Sequence, residues 1–200
     1  MLKVYNLITP IKDNDIEKIN AGEFISITGE IFFARDEAHK RALEYKENKL
    51  TIPFNFQGGV LYHAGPIAKK IGDEWKIIAA GPTTSTRMEM FEPKFIKEFK
   101  IKIILGKGGM KGETLEAFKK YKVIYGAVIG GTALLWANKI EKVLDVKWLD
   151  LGIPEALWKV KVKNFGPILV AIDSKGKNLY DDVDRKVVKN KIEVLKKLQN

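Results

Sequence analysis

The stretch "IKIILGKGGMKGETLEAFKKYKVIYGAVIGGTALLWANKI", Ile101 to Ile140, constrains the fold more than any other part of the chain. "IKIILG" is a short, uniformly apolar run of the kind that forms a strand buried on both faces. "KGGMKG" breaks it, and "ETLEAFKKY" then spaces its apolar residues at helical intervals. The same order follows at once, with "VIYGAVIGG" as strand and "TALLWANKI" as helix. Such β-α-β-α alternation predicts a parallel or mixed sheet with covering helices, an α/β fold.

The flanking segments fit that frame. A short helix is predicted over Asn14–Asn20, and "EFISITGEIFFAR" alternates as a strand or hairpin reaching Ala34. Asp36 is placed to cap a helix from Glu37 to about Lys49. A short strand runs through Val60 to His63, and "WKIIAA" is a strand that stops at Gly81–Pro82. A helical segment follows through Arg87 to Phe91, then a second helix with Pro93 in its first turn. From about Lys142 to Asp173 three apolar segments read as strands, and an amphipathic helix is predicted over Asp184–Leu198. With no linker and no internal repeat, residues 1–200 are expected to form a single domain.

Composition excludes several chemistries. The chain has no cysteine, so it can form no disulfide and supply no thiolate to an iron–sulfur cluster. Its two histidines, His39 and His63, are far apart in sequence and make no zinc-spaced motif. No apolar run is long enough to span a bilayer, and the N-terminal segment lacks the layout of a signal peptide, so a cytoplasmic protein is expected. With 35 basic against 25 acidic residues the net charge is +10, which favours an anionic partner. Nucleic acid is the poorer candidate, because aromatic residues do not interleave with the basic ones as a stacking platform requires.

Ligands of α/β sheets gather at the carboxyl ends of strands. The loops predicted there are "ARDEAHKR", "YHAGP", "GPTTSTR", "GKGGMKG" and "IGGT". If they converge, Arg35, Arg87 and Lys107 surround Thr83, Thr84 and Ser85 with three cations. Guanidinium groups grip carboxylates in bidentate fashion and a lysine adds a point charge, so a small dicarboxylate is the ligand class implied. Each feature also has a plainer reading. The glycines can be simple turns, the threonines helix caps, His63 a hydrogen-bonded structural group, His39 part of a helix face, and Arg35 the partner of Asp36 or Glu37.

The order of "ARDEAHKR", "HAGP", "GPTTSTRM", "GKGG", "GAVIGGTALL" and "LGIPEALWKVKVKNFGPILVAIDSKG" resembles the motif order of class I fumarases. From about Phe24 to Tyr180 the chain is similar to the β subunit of two-subunit fumarate hydratases and L-tartrate dehydratases, equivalent to the C-terminal domain of the single-chain enzymes. That resemblance implies a swivelling β/β/α domain. It also implies a cysteine-bearing α subunit that holds a [4Fe–4S] cluster, with a small dicarboxylate substrate bound between the subunits. A hetero-oligomer of α2β2 type is implied, with β–β self-association open.

By the same match Thr83 is the catalytic base, and Arg35, Arg87 and Lys107 bind substrate. His63, Thr84 and Gly108 are further contact candidates, and no residue of this chain binds metal. Where the single-chain enzymes read Lys-Gly-Asn-Arg, this chain reads Lys107-Gly108-Gly109-Met110, so the match carries over the lysine and no further arginine. The implied reaction is reversible hydration of fumarate to L-malate. The alternatives are L-tartrate dehydration by the same machinery, a basic nucleic-acid-binding module, and a purely structural subunit.

Overall fold

The computed structural model describes residues 3–198. In chain order its elements are β1 (Val4–Ile8), α1 (Asp13–Ile16), β2 (Phe24–Ala34), α2 (Asp36–Glu47) and β3 (Val60–His63). There follow β4 (Ile67–Ile71), β5 (Glu74–Ala79), a 3-10 turn (Ser85–Met88), α3 (Glu92–Phe99), β6 (Ile103–Gly106) and α4 (Glu113–Tyr121). The chain ends with β7 (Ile124–Ala127), α5 (Ala133–Ala137), β8 (Ile140–Lys147), a second 3-10 turn (Leu149–Leu151), β9 (Leu157–Ile172) and α6 (Leu179–Leu198).

The sheet is mixed and closes on itself. β2, β3, β6 and β7 lie side by side in parallel, so their carboxyl ends share one rim. β9 is antiparallel to both β7 and β2, with Tyr125 opposite Ile172 on one edge and Phe33 opposite Trp158 on the other. Five strands therefore make a barrel-like ring. β1 adds in parallel to the start of β2, and β8 adds antiparallel to the start of β9.

Alternation along the strands separates two cores. Ile31 and Phe33 of β2, Tyr62 of β3, Leu105 of β6, and Trp158 and Val160 of β9 belong to one buried cluster. Phe32, Leu61, Ile104 and Leu157, each one residue out of phase, join Phe95, Phe99 and Phe118 of α3 and α4 in the other. The first cluster fills the ring and the second seats the helices on its outside, as a two-residue strand period requires. Phe33 meets the Tyr62 ring edge-on at 5.2 Å, and Tyr62 meets Phe165 at 5.7 Å.

Several local expectations are corrected. Asp36 does not cap α2; Arg35 is the N-cap residue, no side chain caps the helix, and the Asp36 carboxylate binds Arg87 instead. The hairpin of β4 and β5 carries lysines and exposed isoleucines on β4, a mostly solvated pattern that gave no strand signal there. β9 runs unbroken through Gly166–Pro167, where the proline suggested two strands. The last helix starts earlier than Asp184, at Leu179. Among the described residues no helix is long and apolar enough to cross a membrane.

Candidate active site

The segment between β5 and α3 is laid across the shared rim of parallel strands. Ala64 and Pro82 form an antiparallel bridge, and the Thr83 N–H donates to the His63 carbonyl at 2.6 Å. The Lys107 N–H donates to the Thr83 carbonyl at 3.2 Å, and the Ser85 N–H donates to the Lys107 carbonyl at 2.9 Å. Thr83 is thus stitched between the ends of β3 and β6 with its side chain half-buried. Among the described residues nothing hydrogen-bonds its hydroxyl, and exposed Lys107 has no ion pair. A methyl group built on Gly130, in the turn after β7, would reach 3.4 Å from Cδ of Lys107, so that lysine stem lies beside the turn.

The two arginines join the same rim through carboxylates. Arg87 Nε and Nη2 donate to the two oxygens of Asp36 at 3.1 and 2.7 Å, a bidentate pair linking the threonine segment to the residue after Arg35. Arg35 lies 3.3 Å from Glu155 and its side chain is only 22% exposed, against 53% for Arg87. The partner of Arg35 is therefore Glu155, not Asp36 or Glu37. Gly65 makes this possible. A Cβ there would stand 2.6 Å from Arg35 Cδ and 2.6 Å from the Pro154 carbonyl, so only glycine lets the guanidinium lie across the loop.

The remaining sequence candidates fall differently. Thr84 is the N-cap residue of the 3-10 turn and makes no side-chain cap bond. Gly108 has positive φ and open space where a side chain would be, and Met110 of the same loop is fully buried. His63 is fully buried beneath the rim.

Sequence reasoning missed what His63 is doing there. It meets His39 of α2 at 5.2 Å between ring centres, although the two are remote in sequence. Glu92, in the first turn of α3, receives His63 Nε2 at 2.8 Å and His39 Nε2 at 3.0 Å on one oxygen. All three side chains are fully buried. Burial alone would raise the Glu92 carboxyl, but hydrogen bonds from His39 and His63 outweigh it and hold it at about 2. Burial likewise pushes His63 below its ordinary 6.5, against the pull of Glu92. No local signal marked Glu92, because an acid beside Pro93 at a helix start reads as a solvated partner of the helix dipole.

Chemically the rim offers a hydroxyl, an ammonium and two guanidinium groups, a set that attracts carboxylates and repels metal cations. With no thiolate in the chain, these residues do not fit an iron–sulfur cluster of their own. Two clefts lie elsewhere, one of about 820 Å³ between the β4–β5 hairpin and β8 and one of about 780 Å³ beside Lys12, Lys102 and Lys122. Neither includes Thr83, Arg35, Arg87 or Lys107. Thr83 at the rim is half-buried, and Lys107 and Arg87 are exposed.

The family model described as Fumarase C-terminus matches residues 2–183. The chain belongs to this family. Among its relatives is a protein provisionally named L(+)-tartrate dehydratase subunit beta from Methanocaldococcus jannaschii, 46% identical over 86% of this chain and 89% of the relative. L(+)-tartrate dehydratase subunit beta of Escherichia coli K12 is 43% identical over 86% of this chain and 85% of its own length. A provisionally named class I fumarate hydratase of Geobacillus stearothermophilus is 37% identical over 92% of this chain but only 35% of that longer protein. The chain is a β-type subunit of the class I fumarase and tartrate dehydratase group.

Two outcomes follow from this geometry. Gly65→Ala should push the Arg35 side chain aside and raise KM for a dicarboxylate, measured in the assembled enzyme, while circular dichroism stays native. Glu92 and His63 are both held below their ordinary values. Each therefore contributes stability that is present above its unfolded value and is lost as pH falls through the folded one. Thermal melts should show Tm dropping as pH is lowered from 6.5 through 4.5 towards 2, with Glu92→Gln flattening the lower part of the fall.

Proposed function

We propose that the chain is the β subunit of an iron–sulfur hydro-lyase that interconverts fumarate and L-malate at a site shared with a cysteine-bearing α subunit. The supporting observation is the single rim that joins Thr83 and Lys107 by backbone hydrogen bonds and brings in Arg87 and Arg35 through Asp36 and Glu155. That this rim lies open and the chain lacks cysteine favours a partner holding the [4Fe–4S] cluster. The cluster, when bound by that partner, supplies a Lewis acid for the substrate hydroxyl.

This chain's residues then handle the carboxylates and the proton. Lys107 and the two guanidinium groups bind the carboxylate next to the reacting carbon. Thr83 Oγ takes the proton from that carbon, and the C–H electron pair becomes the new C=C bond as the hydroxyl leaves. In the hydration direction the same proton returns. Charge that builds on the carboxylate as an aci-anion is stabilised by the cations where it forms. Thr83 must react as an alkoxide, which neighbouring cations in a closed, dry site favour. The swivelling β/β/α arrangement, an α2β2-type assembly and a cytoplasmic setting belong to the same reading.

L(+)-tartrate is the second substrate, favoured by the names of the more identical relatives. It needs the same base and clamps, with one more hydroxyl to accommodate. Anaerobic co-expression with a cysteine-bearing α subunit, followed by assays on fumarate, L-malate and L(+)-tartrate, separates the two. Activity should require both chains, and Thr83→Ala should lower kcat by about 10²- to 10⁴-fold with assembly intact. Wild-type turnover in that variant removes Thr83 as base, and iron-free activity of the isolated chain removes the shared site.

A further inference from the structure

Beneath the rim runs a continuous buried chain of polar groups. Tyr125 O–H donates to Ser85 Oγ at 2.9 Å, and Ser85 Oγ is 3.0 Å from His63 Nδ1. His63 Nε2 and His39 Nε2 then converge on one oxygen of Glu92. The far nitrogen of His39, Nδ1, is 2.7 Å from the backbone carbonyl of Arg35, which also accepts the His39 N–H at 3.0 Å.

Donor and acceptor pairing gives one consistent set of protons. With the Tyr125 O–H as donor to Ser85 Oγ, Ser85 gives its own proton to His63 Nδ1, which is then bare. His63 is then neutral and donates from Nε2 to Glu92. His39 faces a carbonyl on one side and a carboxyl oxygen on the other. The carbonyl can only accept, so Nδ1 carries a proton. The second proton lies between His39 Nε2 and Glu92, and because hydrogen bonds from the two imidazoles hold the Glu92 carboxyl well below its ordinary range, it stays on the imidazole. The result is a buried imidazolium–carboxylate pair of zero net charge, with the second Glu92 oxygen left without a partner among the described residues.

This network touches the backbone of every rim segment that carries a candidate residue. It holds the Arg35 carbonyl. It includes His63, whose carbonyl receives Thr83, and Ser85, whose N–H holds the Lys107 carbonyl. Gly106, the residue before Lys107, is the cradle: a Cβ there would stand 1.9 Å from Ser85 Oγ and 3.3 Å from His63 Nδ1. We propose that Tyr125, Ser85, His63, Glu92 and His39 form a positioning network, with His39 as imidazolium against the Glu92 carboxylate, that sets Thr83, Lys107 and Arg35 in their reactive relation. All five are fully buried beneath the rim. The proposal rests on the hydro-lyase reading for its kinetic consequence and on geometry alone for its protonation pattern.

The test exploits the fact that the chain has only two histidines. Nitrogen-15 NMR of the full chain labelled at histidine, alone and assembled with the α subunit, reads four ring nitrogens. At pH 7 both nitrogens of His39 should carry protons and His63 should carry one, at Nε2. Glu92→Gln, which keeps the shape but removes the charge, should strip one proton from His39. In the assembled enzyme Glu92→Gln and the milder Tyr125→Phe should lower kcat by up to about 100-fold with a much smaller change in KM, as misplacement of a reacting group does.

A neutral His39 in the wild-type chain overturns the proposal. So does a metal ion retained stoichiometrically by both imidazoles, or wild-type kcat in both variants whatever their Tm. Should Thr83→Ala instead retain full activity, the base assignment falls, while the histidine spectrum still decides the network.

Discussion

The antiparallel pairing of β2 with β9 is the constraint on which the rest depends. It closes the ring from Phe24 opposite Leu169 to Phe33 opposite Trp158, and it fixes which side chains fill the interior. Closure also forces β2, β3, β6 and β7 to end together, because all four run parallel within one cylinder. Four loops then meet at one rim whether or not they do chemistry. The threonine segment is not one of those loops. It is threaded across them and held by main-chain hydrogen bonds, so Thr83 is placed through its backbone rather than by a contact of its own side chain.

Electrostatics is layered under that geometry. At the rim, Arg35 and Arg87 are held by Glu155 and Asp36, which orient a largely buried guanidinium and a half-exposed one. Exposed Lys107 has no ion pair among the described residues, so its ammonium is available to an anion. Below, the Glu92–His39 pair and neutral His63 are sealed from water, where an unpaired charge would be costly and a paired one is rigid. The same rim residues are therefore fixed from beneath by a network whose protons have one favoured arrangement.

Legibility in the sequence followed the range of the interactions. The strands "IKIILG" and "VIYG" and the helix "ETLEAFKKY" were readable because burial on two faces, or on one helical stripe, leaves a local period. The rim candidates Arg35, Thr83, Arg87 and Lys107 were singled out because the motifs that hold them occur in an order that resembles a known family. Ring closure was not, because β9 pairs with residues more than a hundred positions away and no local pattern encodes a partner. His39 and His63 appeared as isolated residues for the same reason. Glu92 looked like a helix-start acid, and Asp36 like a cap, until three dimensions gave each a different partner.

On the proposed function, the stitched Thr83–Lys107 rim is half of a dicarboxylate site completed by another subunit. An anaerobic crystal structure of the αβ assembly with L-malate or L(+)-tartrate bound measures this most directly. One substrate carboxylate should lie within about 3 Å of Lys107 Nζ and of a guanidinium nitrogen of Arg35 or Arg87. Thr83 Oγ should face the carbon that loses its proton. A substrate held entirely by the α subunit, away from Thr83 and Lys107, would contradict the claim.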